Sequence, residues 1–302
     1  MAPNALIILV RLLSRKVKEM ASQDWSGTTA AYSHFEKFSM LFAGDAVQAL
    51  VQSTDLSKGN AVLIDVACGS GAATFMLADA LAAKKQSAKI VASDMASGML
   101  EKLTEAAKTR GIPVAALGES AQAAEAGVTI ETLQADMQDH GAAIPDGSID
   151  GLLCTFGIMF PPDPMKAAKD MHRMLKPGSS GVIVTWHYYR TFDLINEIAI
   201  DQGKIQRNMT DYIHITPEWS EKEILLRRLF TEAGFTKVEV SFSQHSGVVP
   251  TSALVGSLNT NPSAAKFGPW DLEQAEKTLA RFVNAEGALD LRGTAVVVRV
   301  MK

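Results

Sequence analysis

Residues 61–74 read A-V-L-I-D-V-A-C-G-S-G-A-A-T, and they combine signals for a strand, a tight turn and a helix. A short apolar run that carries one carboxylate, Asp65, is typical of a buried parallel strand. The run ends in Gly69-Ser70-Gly71, where the missing side chains let a ligand approach the backbone. The next helix would direct its N-terminal amide groups at that ligand. The stretch therefore predicts a site for a nucleotide-like ligand.

Strand and helix patterns alternate along the chain on the C-terminal side of this stretch. Apolar runs predict further strands at 89–93, 128–133, 149–156 and 182–186, with helical spacing between most of them. Such alternation requires a parallel sheet with helices on both faces. Beyond Trp186 the alternation of strands and helices is less regular, although 237–242 and 294–301 still predict strands of the same sheet.

Three regions can be distinguished along the chain. Residues 1–57 are interpreted as an N-terminal helical extension or lid, since 28–51 has helical spacing with several phenylalanines on one stripe. Residues 58–186 form the ligand-binding core. Residues 187–302 are expected to supply lid insertions and the C-terminal strands that complete the same sheet. A stretch rich in Ala, Gly, Glu and Ser, 114–127, is interpreted as a surface insertion.

The composition is that of an ordinary globular protein. With 302 residues, 47% of them hydrophobic, the chain can bury a sizeable core. A formal net charge of -4 gives no general attraction to phosphate backbones, so nucleic acid is disfavoured as a partner. The two cysteines make neither a disulfide framework nor a metal-ligand cluster, which predicts free thiols, a reducing compartment and no metal.

Residues 1–20 contain an apolar run, 5–10, followed by several basic residues. The run is too short to span a bilayer, so no stable membrane insertion is expected. The charges follow the apolar run, whereas a secretory signal places them first. A surface helix, an extension upstream of Met20 and a mitochondrial presequence all remain open. We predict a cytoplasmic location, with the mitochondrion as the alternative.

The residues around the turn indicate which nucleotide binds. Asp94 follows the second strand about 20 residues after the glycines, where a carboxylate can accept hydrogen bonds from ribose hydroxyls; capping of the next helix is the alternative. Thr74 stands where a dinucleotide fingerprint has glycine or alanine. Asp65 would repel a pyrophosphate but would suit a ligand with an amino group and a sulfonium. This pattern favours S-adenosylmethionine.

Five motifs then occur in order: D-V-A-C-G-S-G (65–71), S-D-M (93–95), A-D-M-Q-D (135–139), P-D-G-S-I-D-G-L-L-C-T-F-G-I-M-F (145–160) and M-H-R-M-L-K-P-G (171–178). Together they resemble the class I S-adenosylmethionine-dependent methyltransferases, in particular the branch of the ubiquinone and menaquinone C-methyltransferases. The resemblance implies an α/β, Rossmann-like doubly wound sheet of seven mostly parallel strands, the last one antiparallel, with N-terminal helices and helical insertions forming a lid.

The resemblance also implies roles for individual residues. Asp65, Gly69 and Gly71 would hold the methionine end of the cofactor and Asp94 its ribose. Met95 would pack on the adenine, with Asp136 at its amino group and Met137 at its edge. Cys154 and Thr155, followed by Phe156, would lie beside the sulfonium. Ala67 belongs to the same turn and stands where the family often has glycine; because alanine is small, we expect the turn to survive. The product would be S-adenosylhomocysteine.

Candidate general bases are less distinct. His187 follows the fifth strand, and Tyr32 and His34 lie on the helical segment that could close over a pocket; His214 is a further candidate. For each of them, a packed or surface residue is the favoured interpretation. His140 and His172 are interpreted as surface residues of a loop and a helix.

The predicted function is methyl transfer to oxygen or carbon of a small, aromatic or polyketide-like molecule, as in secondary metabolism. The apolar residues of the flanking regions would line the acceptor pocket. The predicted partner is a small-molecule acceptor, and the predicted assembly is a monomer or a homodimer. Two alternatives remain open: a protein of this fold that binds S-adenosylmethionine without methyl transfer, and a nicotinamide-dependent oxidoreductase.

Overall fold

The computed structural model describes residues 30–56, 59–119, 127–207, 212–213, 222–265 and 267–302, without the side chains of 30–36, 262 and 263. The interpretations made for residues 1–20, for His214 and for the centre of the insertion at 120–126 lie outside these residues. Tyr32 and His34 lie on the first described helix, but their side chains are not described.

The first half of the described chain alternates between helices and strands. Its elements are α1 (Ala30–Ser53), β1 (Ala61–Val66), α2 (Ala72–Ala83), β2 (Ala88–Asp94), α3 (Ser97–Thr109), β3 (Val114–Ala116), β4 (Val128–Gln134) and β5 (Ile149–Thr155). The second half consists of α4 (Pro164–Met174), β6 (Leu175–Tyr189), α5 (Arg190–Asp201), α6 (Glu223–Glu232), β7 (Lys237–Pro250), α7 (Thr251–Ser257), α8 (Pro262–Ala265), α9 (Leu272–Leu279) and β8 (Ala288–Met301).

These strands form one eight-stranded sheet in the order β3-β4-β2-β1-β5-β6-β8-β7. The pairs from β3 to β6 are parallel, whereas β8 is antiparallel to both β6 and β7. The predicted doubly wound, mostly parallel sheet with an antiparallel last strand is confirmed. The predicted number of seven strands was one too low, because β3 is only three residues long and lies in the stretch interpreted as a surface insertion.

Two apolar layers cover the two faces of the sheet. One layer packs α1, α2, α3 and α5 on the sheet, and its members include Phe42, Leu81 and Ile195. The other packs α4 and α6 on the opposite face, with Met171 and Phe230 fully buried there. Within the part of the chain that the structure describes, no helix has both the length and the apolar character needed to cross a membrane.

The strand β7 is longer than the sequence predicted. It pairs with β8 over its whole length, from Lys237 opposite Met301 to Pro250 opposite Ala288. Its second half, Ser243–Val249, mixes serine, glutamine, histidine and glycine and carries little of the apolar signal on which a strand prediction depends. The pairing partner, which is distant in sequence, therefore extends the strand.

Helix α4 begins with a side-chain cap. Asp163 accepts hydrogen bonds from the amide groups of Met165 and Lys166, each at 3.1 Å, and Pro164 occupies the first helical position. We expect Asp163→Ala to lower the free energy of unfolding by about 1 kcal/mol because two amide groups lose their acceptor. Chemical denaturation monitored by circular dichroism measures this change, and an unchanged denaturation midpoint would contradict the capping role.

Candidate functional site

The turn after β1 has the backbone geometry that glycine permits. Gly69 and Gly71 have φ angles of 55° and 95°, in the left-handed region. A Cβ atom on Gly71 would also lie 2.8 Å from Phe75 Cε2 and 2.9 Å from Leu103 Cγ. The N–H of Gly71 donates to the carbonyl of Cys68 at 3.0 Å, which closes the turn at the start of α2. Conformation and space therefore both require glycine at position 71.

Asp65 is a buried carboxylate, and only one of its two oxygens has a hydrogen-bond partner among the described residues. Its side chain is inaccessible to solvent, and its Oδ2 accepts a hydrogen bond from the Thr74 hydroxyl at 2.7 Å. Its Oδ1 is buried and has no hydrogen-bond partner among the described residues. Burial raises the pKa of Asp65 to about 7; the Thr74 hydrogen bond opposes this rise, and the charge of Asp94 adds to it. A cation placed at Oδ1 would stabilise the ionised form of such a carboxylate.

Asp94, at the end of β2, fixes the turn from the neighbouring strand. Its Oδ2 accepts the amide hydrogen of Gly69 at 2.8 Å, and its Oδ1 accepts that of Ala96 at 2.9 Å. Ala96 is the N-cap residue of α3, whose first turn receives no side-chain cap, so Asp94 holds the loop before the helix and the alternative of helix capping is not realised. A carboxylate has about four acceptor positions, which leaves capacity for ligand hydroxyls as well. Met95 follows, with 57% of its surface exposed.

The loop after β4 lies directly beside Asp94. The amide of Ala135 donates to the carbonyl of Asp94 at 3.1 Å. The exposed carboxylate of Asp136 accepts hydrogen bonds from the Gln138 amide and from its side-chain Nε2, both at 2.9 Å. Met137 is half-buried. The structure thus brings Asp136 and Met137 to the same edge of the sheet as Asp94.

The loop after β5 contacts the turn after β1. A Cβ atom built on Gly157 would lie 2.6 Å from the Cβ of Ala67, 2.9 Å from the Sγ of Cys154 and 3.4 Å from the Cε of Met137. Ala67 itself has a left-handed φ of 56°, so alanine does adopt the conformation of this turn. The expectation that the turn survives this alanine is confirmed. These contacts bring the ends of β1, β4 and β5 together.

Phe156 connects this edge to an aromatic cluster. It has a left-handed φ of 57°, and its ring stacks on Trp186 with centroids 4.2 Å apart. Trp186 stacks in turn on Tyr189 at 4.4 Å, and Phe42 of α1 contacts both Phe156 and Trp186. Among these rings Phe156 is only half-buried, whereas Phe42, Trp186 and Tyr189 are buried. The cluster forms an apolar wall next to Thr155.

Both cysteines near the turn are buried free thiols, as predicted. Burial raises the pKa of Cys154 to about 12, and the charge of Asp65 raises it further. Burial likewise raises the pKa of Cys68 well above its ordinary value. Both side chains are therefore neutral near pH 7, and neither is suited to act as a thiolate nucleophile.

His187 lies apart from the residues at these loops. It is exposed at the end of β6, and its ring contacts Phe242 of β7 with centroids 5.2 Å apart. Phe242 pairs with Val296, which belongs to the core on the α4 and α6 face, whereas Trp186 belongs to the core on the other face. The structure therefore does not bring the His187 ring to Phe156 and Thr155. The roles suggested for Tyr32 and His34 stay predictions.

The interpretation of His140 as a surface residue was wrong. Its side chain is 3% exposed and lies between Ser93 and Asp170. A lone histidine in a polar loop gives no sequence signal for such burial, because its partners lie on other elements. His172 is half-buried and packs edge-on against Phe235 at 5.1 Å.

A second polar cluster went unnoticed in the sequence because β7 was predicted to end at Phe242. Asp45 of α1 accepts hydrogen bonds from Ser243 and from Nε2 of His245, the latter at 2.8 Å. The three residues line a groove of about 370 Å³ between α1 and the β7–β8 edge. The Phe42 ring contacts His245 at 4.7 Å and Phe156 at 6.1 Å, so it separates this groove from the loops above.

The described residues contain no group of three or more His, Cys, Asp or Glu side chains placed to hold a metal ion. The charged groups at the loops are instead single carboxylates on separate strands. They can bind cationic or hydroxyl-bearing parts of an organic ligand.

Comparison with known proteins agrees with this geometry. Residues 64–183, which run from β1 into β6, match the family described as "Methyltransferase domain". The chain is 29% identical over 202 residues to a demethylmenaquinone methyltransferase of Lactococcus lactis, covering 61% of this chain and 69% of that protein. It is 28% identical over 139 residues to an uncharacterized protein of Mycobacterium tuberculosis, of which it spans only 41%.

The fold is also found in solved structures. The YcgJ protein of Bacillus subtilis superposes with a TM-score of 0.52 at 13% identity, covering 85% of this chain and 98% of that one. At this identity the likeness shows a shared fold alone.

Proposed function

We propose that this chain, whose residues 64–183 match a methyltransferase domain, is a class I S-adenosylmethionine-dependent methyltransferase. It transfers the methyl group to oxygen or carbon of a small, aromatic or polyketide-like molecule. The observation that carries the cofactor assignment is the carboxylate of Asp65, which is buried beside a glycine turn and whose Oδ1 has no hydrogen-bond partner among the described residues. A buried carboxylate of this kind suits the ammonium of a methionine moiety and opposes a pyrophosphate. This distinction argues against a nicotinamide cofactor.

The residues at the strand ends fit the remaining parts of the cofactor. Asp65, Ala67, Gly69 and Gly71 would hold its methionine end. Asp94 would accept the ribose hydroxyls, since its carboxylate retains acceptor capacity beside the turn. The adenine would lie between Met95, Asp136 and Met137, and the neutral Cys154 and Thr155 would adjoin the sulfonium. S-adenosylhomocysteine would remain after the transfer.

When bound, the cofactor supplies an electrophilic methyl group on a sulfonium. The chain must then align the acceptor in line with the leaving sulfur, and such alignment supplies much of the rate enhancement in displacement reactions. The wall formed by Phe42, Phe156 and Trp186 would limit the access of water to a methyl group held beside the half-buried Thr155. A hydroxyl acceptor would also benefit from a general base, for which Tyr32 and His34 stay candidates, whereas the exposed His187 ring lies apart from these loops. An acceptor carbon needs its adjacent oxygen deprotonated.

The aromatic wall supports an apolar, ring-bearing acceptor. Ring faces recognise other aromatic rings by offset stacking and edge contacts, and Phe156 is the ring of this wall that is partly exposed at the loops. We further propose that residues 1–57 and 187–302 form the lid and the rest of the acceptor pocket around the core of residues 58–186. We also propose that the protein is a cytoplasmic monomer or homodimer. It would act in secondary metabolism, on a small molecule and not on nucleic acid.

Incubation of the full chain with methyl-labelled S-adenosylmethionine tests the transfer. We expect label to appear in at least one member of a panel of phenols, demethylmenaquinone and polyketide-type enols. Binding of the cofactor without label transfer to any of them would favour a protein that uses it without methyl transfer. Calorimetric titration with NADH is the second arm, and tight NADH binding without S-adenosylmethionine binding would overturn the proposal.

A further inference from the structure

A buried chain of hydrogen bonds lies directly behind the candidate cofactor loops. The Ser93 hydroxyl is 2.9 Å from Nε2 of His140, and Nδ1 of His140 is 2.7 Å from Oδ2 of Asp170. The same Asp170 oxygen accepts the backbone N–H of His140 at 3.1 Å. Ser93, His140 and Asp170 are exposed by 1%, 3% and 7%. We call these three residues the buried relay.

The buried relay connects three elements that carry candidate cofactor residues or support them. Ser93 is the residue before Asp94 on β2, and its carbonyl accepts the N–H of Cys68 in the glycine turn at 3.0 Å. His140 immediately follows the turn closed by the Asp139 amide and the Asp136 carbonyl at 2.9 Å. Asp170 belongs to α4. One imidazole thus joins the ends of β2 and β4 to the helix beneath them.

The far end of the relay is held as an anion. Burial alone would raise the pKa of Asp170, but the hydrogen bonds from His140 and Arg173 outweigh it and lower the pKa below its usual value. Arg173 donates to Asp170 Oδ1 at 2.8 Å and to the carbonyl of Ile144 at 2.7 Å. Because an ionised carboxylate only accepts hydrogen bonds, Nδ1 of His140 carries a hydrogen. In neutral His140, Nε2 then accepts the hydrogen of the Ser93 hydroxyl.

We propose that His140 is a positioning residue for the cofactor, acting through Ser93 on the ribose carboxylate Asp94 and through its own backbone on the adenine loop at 136–139. The proposal rests on the proposed function. Asp94 already holds Gly69 and Ala96 through its two oxygens, so its carboxylate orientation depends on the placement of the strand end. The relay fixes that strand end from the side opposite the ligand, as the outer partners of ligand-binding side chains do in other sites.

The test is Ser93→Ala, which removes the relay's contact with β2 and leaves the strand backbone intact. We expect the dissociation constants of S-adenosylhomocysteine and of adenosine, measured by calorimetry well below the unfolding temperature, to rise about tenfold. The two dissociation constants should rise by the same factor, because the relay supports the loops that would bind the ribose and the adenine, which both ligands contain. His140→Asn, which shortens the side chain away from Ser93, is expected to give the same pattern.

Thr278→Val is the matched control. Thr278 is 1% exposed and its hydroxyl donates to Asp201 at 2.7 Å, so the substitution likewise removes the hydrogen bond of a buried hydroxyl, here between α9 and α5. It should lower the unfolding temperature without changing either dissociation constant. If Ser93→Ala behaves like Thr278→Val, or weakens S-adenosylhomocysteine but not adenosine, the relay has no positioning role. If the wild-type protein binds neither ligand, the proposed function fails together with it.

Discussion

Asp65→Asn is expected to weaken binding of S-adenosylmethionine by about 100-fold or more, because the buried carboxylate loses the charge that would pair with the cofactor's ammonium. The asparagine keeps nearly the same shape, and its oxygen can still accept the hydrogen bond from Thr74. A structural defect is therefore a poor explanation for a loss of this size. Calorimetry with S-adenosylhomocysteine, which keeps the amino group, measures the effect without turnover.

The same residue predicts a dependence on pH with a defined sign. Since the pKa of Asp65 is about 7 in the folded protein and 3.8 in the unfolded chain, the folded state holds one more proton between these values. The free energy of unfolding of the ligand-free protein should fall as pH rises through this window, by a total on the order of 4 kcal/mol. Cofactor affinity should change in the opposite direction and rise toward pH 8, since binding requires the ionised carboxylate.

Asp65→Asn should flatten both pH profiles. Asp150→Asn is the matched control: Asp150 lies at the opposite, N-terminal end of β5, where it accepts the Val62 amide hydrogen at 2.9 Å and pairs with Lys176 at 2.6 Å. That variant should keep the wild-type cofactor affinity and its pH slope. Binding by Asp65→Asn within threefold of the wild type would show that Asp65 does not hold the ammonium.

Gly157→Ala is expected to lower kcat/KM for methyl transfer by about 100-fold and the free energy of unfolding by about 2 kcal/mol. The added Cβ would lie 2.6 Å from Ala67 Cβ, which is fixed by the backbone, and 2.9 Å from the Sγ of the fully buried Cys154. The loop after β5 or the turn after β1 must therefore shift. Both outcomes would displace groups assigned to the cofactor or the acceptor.

A second substitution identifies the contact responsible. Ala67→Gly removes one of the two clashing atoms and places glycine at a left-handed φ, so adding it to Gly157→Ala should restore at least about 1 kcal/mol of stability. Gly247→Ala is the steric control, because a Cβ there would meet only the Phe38 ring at 3.4 Å. The double-mutant cycle compares denaturation curves and steady-state rates of the wild type, Gly157→Ala, Ala67→Gly and the double variant. Purely additive effects would exclude contact between positions 67 and 157.

Local signals in the sequence were sufficient for the core of the fold. The apolar run around Asp65 and the glycines after it encode a strand and a turn without help from distant residues, and the structure has both. The alternation of strands and helices then leaves a parallel sheet as the solution that buries both faces. The candidate residue Asp94 follows from the same reasoning, because parallel strands end at a common edge, whereas Asp136 and Thr155 came from the resemblance to a known family.

Features that depend on distant partners were not predictable in this way. Burial of His140 depends on Asp170, which is 30 residues away, and the second half of β7 depends on β8. The three-residue strand β3 exists because β4 offers it a pairing partner. The position of His187 depends on Phe242, which contacts it from a different strand. In each case the deciding energy comes from tertiary contacts, which a pattern of neighbouring residues does not contain.

Because β8 is the last strand of the chain and lies between β6 and β7, the sheet can be completed only after β8 has been synthesised. During translation β6 and β7 both emerge from the ribosome before β8, so the backbone of β6 keeps an unpaired edge until β8 has been made. The nascent chain therefore carries an exposed sheet edge until β8 has been synthesised. A ribosome that stalls in the segment between β7 and β8 would leave a species prone to aggregation, even though every residue assigned to the cofactor has already been made.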